Sequence, residues 1–435
     1  NEWLYRNSPT AGNRKTFTIS LWLKRAVLGH TPAGGDEYLA GQGSNARFHF
    51  AGDTLRFQFE SGSTELESSR VYRDPSAWYH IVLAVDTSQG TAANRVKLYI
   101  NGVQEAWSNT EYPDQNAESD WMNTNDLYIG TKWASNTSGE GDNDLSGYLS
   151  EVVLLDGTAA SPTSFGEFDG DSGIWIPIDV SGLTFGSQGF YLNFSNASSS
   201  GEDFSGNDND LLDSNLSAAD HSTDTPTNNF CTWNSSWQYL YEPIISEGGT
   251  KAGYHNSTDE NAKATIGLTN GKWYWEAKPV GTIGSQFIGI QTDGDSNLNS
   301  AQGILLNYTM VIEPQGRYYS YAGSLSESSA GQFTALTTSD WLGIALDMDS
   351  STQTIKYYKN GSLILTRDLI SEMQGRTVFP FLQNYESRSF YINFGGYTIN
   401  TISSAESDAN GYGTFEYAPP TGHYSICTKN LAEYG

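Results

Sequence analysis

Apolar and polar residues alternate along most of this chain, and the period is two. In Phe17-Thr-Ile-Ser-Leu-Trp-Leu23 the odd positions are apolar and most even ones polar, the pattern of a strand with one face on a core. Arg47-Phe-His-Phe50 and Leu55-Arg-Phe-Gln-Phe59 repeat it on either side of a Gly52-Asp53 turn, which predicts a hairpin. Further strands are expected at residues 78–86, 95–100, 127–130 and 147–155. No helical period longer than two turns separates them, so this half reads as a sandwich. The second half repeats the theme, with strands expected at 271–276, 287–290, 341–349, 355–361, 379–382 and 390–395.

Composition sharpens this reading. Aromatics reach 13%, with 26 Tyr and 12 Trp, and 45 Gly fall among Ser, Thr, Asn and Asp between the apolar runs. That balance favours strands and turns over helices. At 435 residues the chain is too long for one ordinary sandwich. Its 23 Lys and Arg against 50 Asp and Glu leave a net charge of −27, a field that repels phosphate backbones and anionic lipid. Neither nucleic acid nor a membrane is therefore an expected partner, and no apolar run reaches the length of a membrane span. The chain begins at Asn1 without a leader pattern and is expected to be a processed product or a piece of one. Cys231 and Cys427 are too few for a disulfide framework or a Cys-based zinc site. Two buried thiols are expected, with a bridge as the alternative.

Three runs in the first half carry a family resemblance: Phe17-Thr-Ile-Ser-Leu-Trp22, then Trp78-Tyr-His-Ile81 with Leu98-Tyr-Ile-Asn-Gly102, then Ile129-Gly130 followed by Gly147-Tyr-Leu-Ser-Glu-Val152. In order and spacing they resemble the laminin-G/pentraxin-like group of concanavalin-type sandwiches, over residues 1–160. The resemblance implies carbohydrate or protein binding, frequently with calcium at the rim. The run Gly271-Lys-Trp-Tyr-Trp-Glu276, with Leu342-Gly-Ile-Ala-Leu-Asp-Met-Asp349, Tyr357-Tyr-Lys-Asn-Gly361 and Ile392-Asn-Phe-Gly395, is similar to the SPRY family, over residues 245–400. SPRY domains are recognition modules, and the resemblance implies a protein partner held by loops at one end. The fold expected is all-β: two antiparallel sandwiches, concanavalin-type and SPRY-type, joined by a loop-rich connector at 161–244 and followed by an extension at 401–435. Within the connector, Gly189–Phe194 is a strand candidate able to complete the first sandwich. The halves also share a local echo, Trp78…Asp86…Tyr99-Ile-Asn-Gly102 against Trp341…Asp347…Tyr358-Lys-Asn-Gly361, read as shared architecture.

Asp203-Phe-Ser-Gly-Asn-Asp-Asn-Asp210, Asp224-Thr-Pro-Thr-Asn-Asn-Phe-Cys231 and the tail Tyr424-Ser-Ile-Cys-Thr-Lys-Asn-Leu431 show no evident chemistry. They resemble segments of structural proteins of marine bacteriophages, where such modules are strung along fibre or head-surface proteins.

Catalytic patterns are scarce. A glycosidase on this kind of sandwich needs two carboxylates flanking the bond, and the Glu-x-Asp-x-x-Glu run that would supply them is missing. Glu151 is the one acid inside an apolar strand and is expected to face solvent. Gly170-Asp-Ser-Gly173 matches a serine-protease fragment, but the six histidines are scattered and His80 lies in an ordinary strand, so no triad is expected. No His-Glu-x-x-His helix or phosphate-binding glycine loop occurs. The chain is expected not to be an enzyme.

Binding candidates remain. Asp142-Asn143-Asp144 lies in a Gly-rich loop before a core strand, and its clustered oxygens suit calcium. Asp293-Gly-Asp-Ser-Asn297 starts like an EF-hand loop but has Leu298 and Ile304 where a glycine and a glutamate are needed. Trp107, Tyr112, Trp121 and Trp133 fall in a polar stretch, where aromatics suit stacking on sugar rings or anchoring a protein. Tyr254, His255 and Tyr319 fall where SPRY binding loops can lie. The function expected is that of a virion surface protein of fibre or spike type, attaching to host glycan or surface protein. A head fibre or capsid decoration protein binding other virion subunits is the alternative, and a secreted bacterial lectin or adhesin the next. A virion surface or extracellular location goes with these, and a homo-oligomer is open.

Overall fold

A computed structural model describes residues 2–8, 10–28, 36–60, 65–132, 144–236, 244–253, 260–293, 308–384 and 388–435. It divides into two compact units, Asn1–His221 and Ser222–Gly435. Each is a pair of antiparallel sheets, as the alternating pattern predicts.

In the first unit an eight-stranded sheet runs Trp107–Thr110, Glu65–Val71, Thr54–Gln58, Ala46–Ala51, Asp36–Gln42, Leu127–Ile129, Trp3–Arg6, Leu212–Ser214. A six-stranded sheet runs Phe190–Leu192, Gly147–Asp156, Thr16–Arg25, Trp78–Asp86, Val96–Ile100, Val103–Gln104. Their facing sides form one core, with Phe48, Phe50, Leu55, Phe57, Leu127 and Ile129 from the first sheet against Phe17, Leu21, Leu23, Ile81, Leu83 and Leu98 from the second. The strand Thr16–Arg25 departs from the expected half-burial, because Thr18, Ser20, Trp22 and Lys24 on its other face are buried too. A second apolar layer covers them. Phe165, Trp175, Val180 and Phe185, from a stretch whose composition reads as loop, pack on Val82, Val153, Leu155, Trp22 and Trp78.

Of the segment expected as connector, residues 161–221 lie in the first unit and 222–244 in the second. The strand candidate Gly189–Phe194 forms Phe190–Leu192, pairing Leu192 with Val152 and Phe190 with Leu154. The run from Asp203 to Asp210 acts as a clamp. Asp203 accepts from the backbone nitrogens of Tyr191, Ser205 and Asn209, while the Asn207 and Asn209 amides donate to the Gly189 carbonyl at 3.0 and 2.8 Å. Glu151 corrects an expectation. It sits at a bulge with φ +52°, and burial, opposed by the hydroxyl that Tyr191 donates to it, pushes its carboxyl up. It does not face open solvent as an ordinary strand residue.

In the second unit one sheet runs Ile244–Ser246, Lys251–Gly253, Ser389–Asn393, Lys272–Val280, Leu342–Asp347, Thr354–Lys359, Ser362–Asp368, with Tyr424–Ser425 pairing in parallel beside Lys272–Val280. The other runs Glu260–Lys263, Val378–Asn384, Phe287–Thr292, Thr309–Glu313, Arg317–Tyr321, Leu325–Glu327. Residues 401–435 pack into this unit. Phe415 lies on Tyr274 and Ala345, and the buried Glu276 carboxylate accepts from the backbone nitrogens of Glu416 and Tyr417 at 2.8 and 2.9 Å. The two runs at 224–231 and 424–431, far apart in sequence, are partners. Phe230 bridges Cys427, Cys231 N donates to Ile426 O, and Asn229 and Thr428 bond each other. Both cysteines are buried free thiols.

The local echo has a shared physical basis. Asn101 and Asn360 both take φ +48°, and each side-chain oxygen accepts from a backbone nitrogen near the start of the opposing strand, His80 at 2.7 Å and Trp341 at 2.9 Å. A left-handed asparagine before glycine is what a tight hairpin of this hand requires.

Candidate functional site

The eight-stranded sheet turns one face to the core and one away from it. Alternation along Ala46–Ala51 sends Phe48 and Phe50 inward and puts Arg47 and His49 on the other face. Register places His49 opposite Tyr38 on one neighbouring strand and Arg56 on the other, with Arg56 opposite Glu67. The next row holds Gly41, Arg47, Gln58 and Glu65. A side chain at Gly41 would come within 2.6 Å of the Lys132 carbonyl oxygen, so the bare glycine lets the Lys132 backbone lie against the sheet there.

The floor of this face is buried and its rim is not. Tyr38 and His49 are each 2% exposed, their rings stacked at 4.9 Å. Around them the Asp36, Glu65, Arg56 and Glu67 side chains stay about a third exposed, at 35, 35, 34 and 29%. Tyr38 donates to Asp36 at 3.0 Å, and Lys132 Nζ lies 5.4 Å over the Tyr38 ring. Arg56 reaches Glu65 at 3.7 Å and Glu67 at 3.4 Å. Burial is the main force on His49 and holds its imidazole down to about 4; Asp36 opposes this and Arg56, Arg47 and Lys132 add to it. His49 Nδ1 and, elsewhere on the sheet, Trp3 Nε1 are buried without a hydrogen-bond partner, which is uncommon and calls for a polar guest or a cost. Both rings are covered, so what this face offers a ligand is the rim of half-exposed charged side chains, which suits the hydroxyls of a sugar.

A Ser–His pair also occurs, and it is not catalytic in form. Ser20 Oγ lies 2.9 Å from His80 Nε2. The indole nitrogen of Trp175 donates to His80 Nδ1 at 2.9 Å, so the ring proton belongs on Nε2, where it faces Ser20. A general base needs that nitrogen bare. The pair is fully buried and holds the outer layer in place. Ser172 only closes a turn, donating to Asp169 at 2.7 Å.

Several expected site residues lie elsewhere. Trp121 is corrected: it is 1% exposed, stacked on Phe57, with its indole nitrogen donated to Gln58 O, so it belongs to the core. Trp107 and Tyr112 pack on the same core, half-buried, and Trp107 donates to Val96 O. Tyr319 is corrected too, being buried edge-on against Phe287 with its hydroxyl within hydrogen-bond reach of the Glu313 and Glu327 carboxylates, at 3.2 and 3.3 Å. Trp133, Tyr254, His255, Asp142 and Asn143 lie outside the described residues. Asp144 is half-buried, and burial pushes its carboxyl up against the pull of the Thr131 hydroxyl. Neither carboxylate oxygen nor Thr131 Oγ1 has a hydrogen-bond partner of proper geometry. Among the described residues no three acidic, His or Cys side chains group as a metal site. The Tyr38–His49 floor went unnoticed in the sequence, although the alternation in Arg47-Phe-His-Phe50 already set His49 off the core face.

The profile of the laminin G type within the Concanavalin A-like lectin/glucanases superfamily matches residues 5–163. Residues 5–163 are a concanavalin A-like domain. The second unit is a second antiparallel β-sandwich. No curated protein sequence matches the chain. Among solved structures, a provisionally assigned carbohydrate binding protein from Bacteroides ovatus is similar at 16% identity and TM-score 0.34, over 49% of this chain. The chain spans 56% of that protein's length. The TRIM65 PSpry domain is similar at 12% identity and TM-score 0.28, over 38% of this chain and 89% of its own. A heptameric SAP-like pentraxin from Limulus polyphemus is similar at 17% identity and TM-score 0.27, over 37% and 71%.

Proposed function

We propose that the concanavalin A-like domain binds saccharide on the outer face of its eight-stranded sheet, without cleaving it. The observation that carries this is the rim of half-exposed charged side chains, Asp36, Arg56, Glu65 and Glu67, around the buried Tyr38–His49 pair. Hydrolysis would need one acid kept protonated beside a carboxylate; Glu65 and Glu67 instead share Arg56, and Glu67 also accepts from Thr54 at 2.8 Å. A calcium ion at the loop containing Asp142, Asn143 and Asp144 belongs to this reading, supported by the unpartnered Asp144 oxygens. The wider role is attachment of a virion surface or extracellular protein to host glycan, and the support for the virion is the sequence resemblance of the 203–210, 224–231 and 424–431 runs.

The test is a glycan array of the folded chain, run with calcium and with chelator. Binding of a defined sugar class that Tyr38→Ala removes is the expected result, and weakening by chelator is expected if the Asp144 loop holds calcium. Silence under both conditions would refute sugar binding and favour a role in contacts between virion subunits.

A further inference from the structure

The outward face of the eight-stranded sheet has a second chemical zone at its far edge. Along Trp3–Arg6, Leu4 enters the core, while Trp3 and Tyr5 stand half-buried on the side that carries His49. Register sets Tyr5 between Leu212 and Tyr128, and the same row continues through Gly41, Arg47 and Gln58 to Glu65. Leu212 is 53% exposed, whereas Tyr128 is covered and backs the Tyr5 ring at 6.2 Å. Alternation past the strand's end brings Asn7 to this side, where its exposed amide donates to Asp126 at 2.7 Å. Asp126 also accepts from the Tyr128 hydroxyl at 3.3 Å. An open aliphatic side chain, a half-open ring and an amide–carboxylate pair meet both sides of a pyranose, its C–H face and its hydroxyls.

Resting on the saccharide reading above, we infer that Tyr5, Leu212 and the Asn7–Asp126 pair form a second sugar subsite, and that the ligand is an oligosaccharide long enough to reach from it to the charged rim. Neighbouring strands lie about 4.8 Å apart, which puts Tyr5 about 14 Å from Arg47 and about 24 Å from Glu65 along the row. A single sugar unit is too short for that span. The Lys132 backbone crosses the row at Gly41, so the two zones are separate contacts rather than one continuous groove. The edge supplies apolar contact, and the rim supplies the charged hydrogen-bonding groups of Asp36, Arg56, Glu65 and Glu67. With both signs of charge present at the rim, the arrangement selects the ligand's length, not its charge.

The experiment titrates the full chain in solution with oligosaccharides of the class that the array retains, graded from disaccharide to octasaccharide. Wild-type protein is expected to bind the octasaccharide about tenfold or more tighter than the disaccharide. Tyr5→Ala, checked for folding by thermal melting, is expected to bring that ratio within about threefold. Leu212→Ser changes an exposed group and keeps the test valid if Tyr5→Ala fails to fold; it is expected to lower the ratio at least about twofold. Affinity independent of length in wild-type protein, or an unchanged ratio in the folded variants, would overturn this inference while leaving saccharide binding intact. No binding of any length by folded protein would overturn both.

Discussion

Two histidines, His80 and His49, stand on the outward faces of the two sheets of one sandwich, each buried and each stacked on an aromatic ring at 4.6 Å (Trp22) and 4.9 Å (Tyr38). They are completed differently. His80 has both ring nitrogens matched, by Ser20 and by Trp175 from the covering layer. His49 has one nitrogen unmatched and a rim of half-exposed charges around it. Burial and an aromatic neighbour are therefore common to both histidines, and what differs is the polar atom left over at His49.

The comparison can be broken hardest at its covered side. Trp175→Ala removes a 6%-exposed indole and the donor to His80, and should cost about 3–5 kcal/mol of stability, measured by urea unfolding. A change under about 1 kcal/mol, within the range of ordinary surface substitutions, would mean that the covering layer is not part of the folded core.

Acid gives the next effect. Burial holds His80 down to about 3, and burial is also the main force holding His49 at about 4. An imidazole with a lower folded than unfolded value lets the unfolded chain bind the proton first as pH falls. The contribution of both is thus intact above the ordinary value of 6.5 and is lost as pH falls from there toward 3. In the second unit burial pushes Glu276 up to about 7, against the Glu416 and Tyr417 nitrogens and the Tyr274 and Asn393 donors. Its contribution has the opposite sign, present below the ordinary 4.5 and lost as pH rises through 7. Urea titrations followed by hydrogen exchange in peptides of each unit should show His80 and His49 weakening the first unit on acidification from pH 6.5 to 4, against the raised carboxyls of Glu37, Asp144 and Glu151, which act with the opposite sign. The variant Glu276→Gln should flatten the fall in the second unit's stability as pH rises from 5 to 8. Identical pH profiles in both units would contradict these assignments.

The smallest expected effect lies at the open side. Glu65→Gln alters a half-exposed rim group and should change stability by no more than about 0.5 kcal/mol, while lowering sugar binding on the array. A large loss of stability instead would make the rim a structural ion-pair network, and His49 a second His80.

Much of the fold was legible. The alternation in Phe17–Leu23 and Arg47–Phe59 marks the core side chains, and the Asn101-Gly102 and Asn360-Gly361 pairs mark two equivalent hairpins. The site was legible only in part. Trp107, Tyr112 and Trp121 were singled out because aromatics in polar stretches suit ligand stacking, yet Trp121 is core and the other two cover it. A long ring in a loop can turn inward as easily as outward, and composition does not record which.

By itself the sequence determined the strands, their faces and the two-sandwich plan, because a period of two is local and survives any packing. The tertiary structure decided what lies on the outward faces. Residues 165–185 read as loop, and only their docking shows that they seal the six-stranded sheet over Ser20, Trp22 and His80 while the rim around His49 stays half-exposed. The pairing of the 224–231 and 424–431 runs was likewise invisible, since no local pattern encodes which distant backbone groups meet.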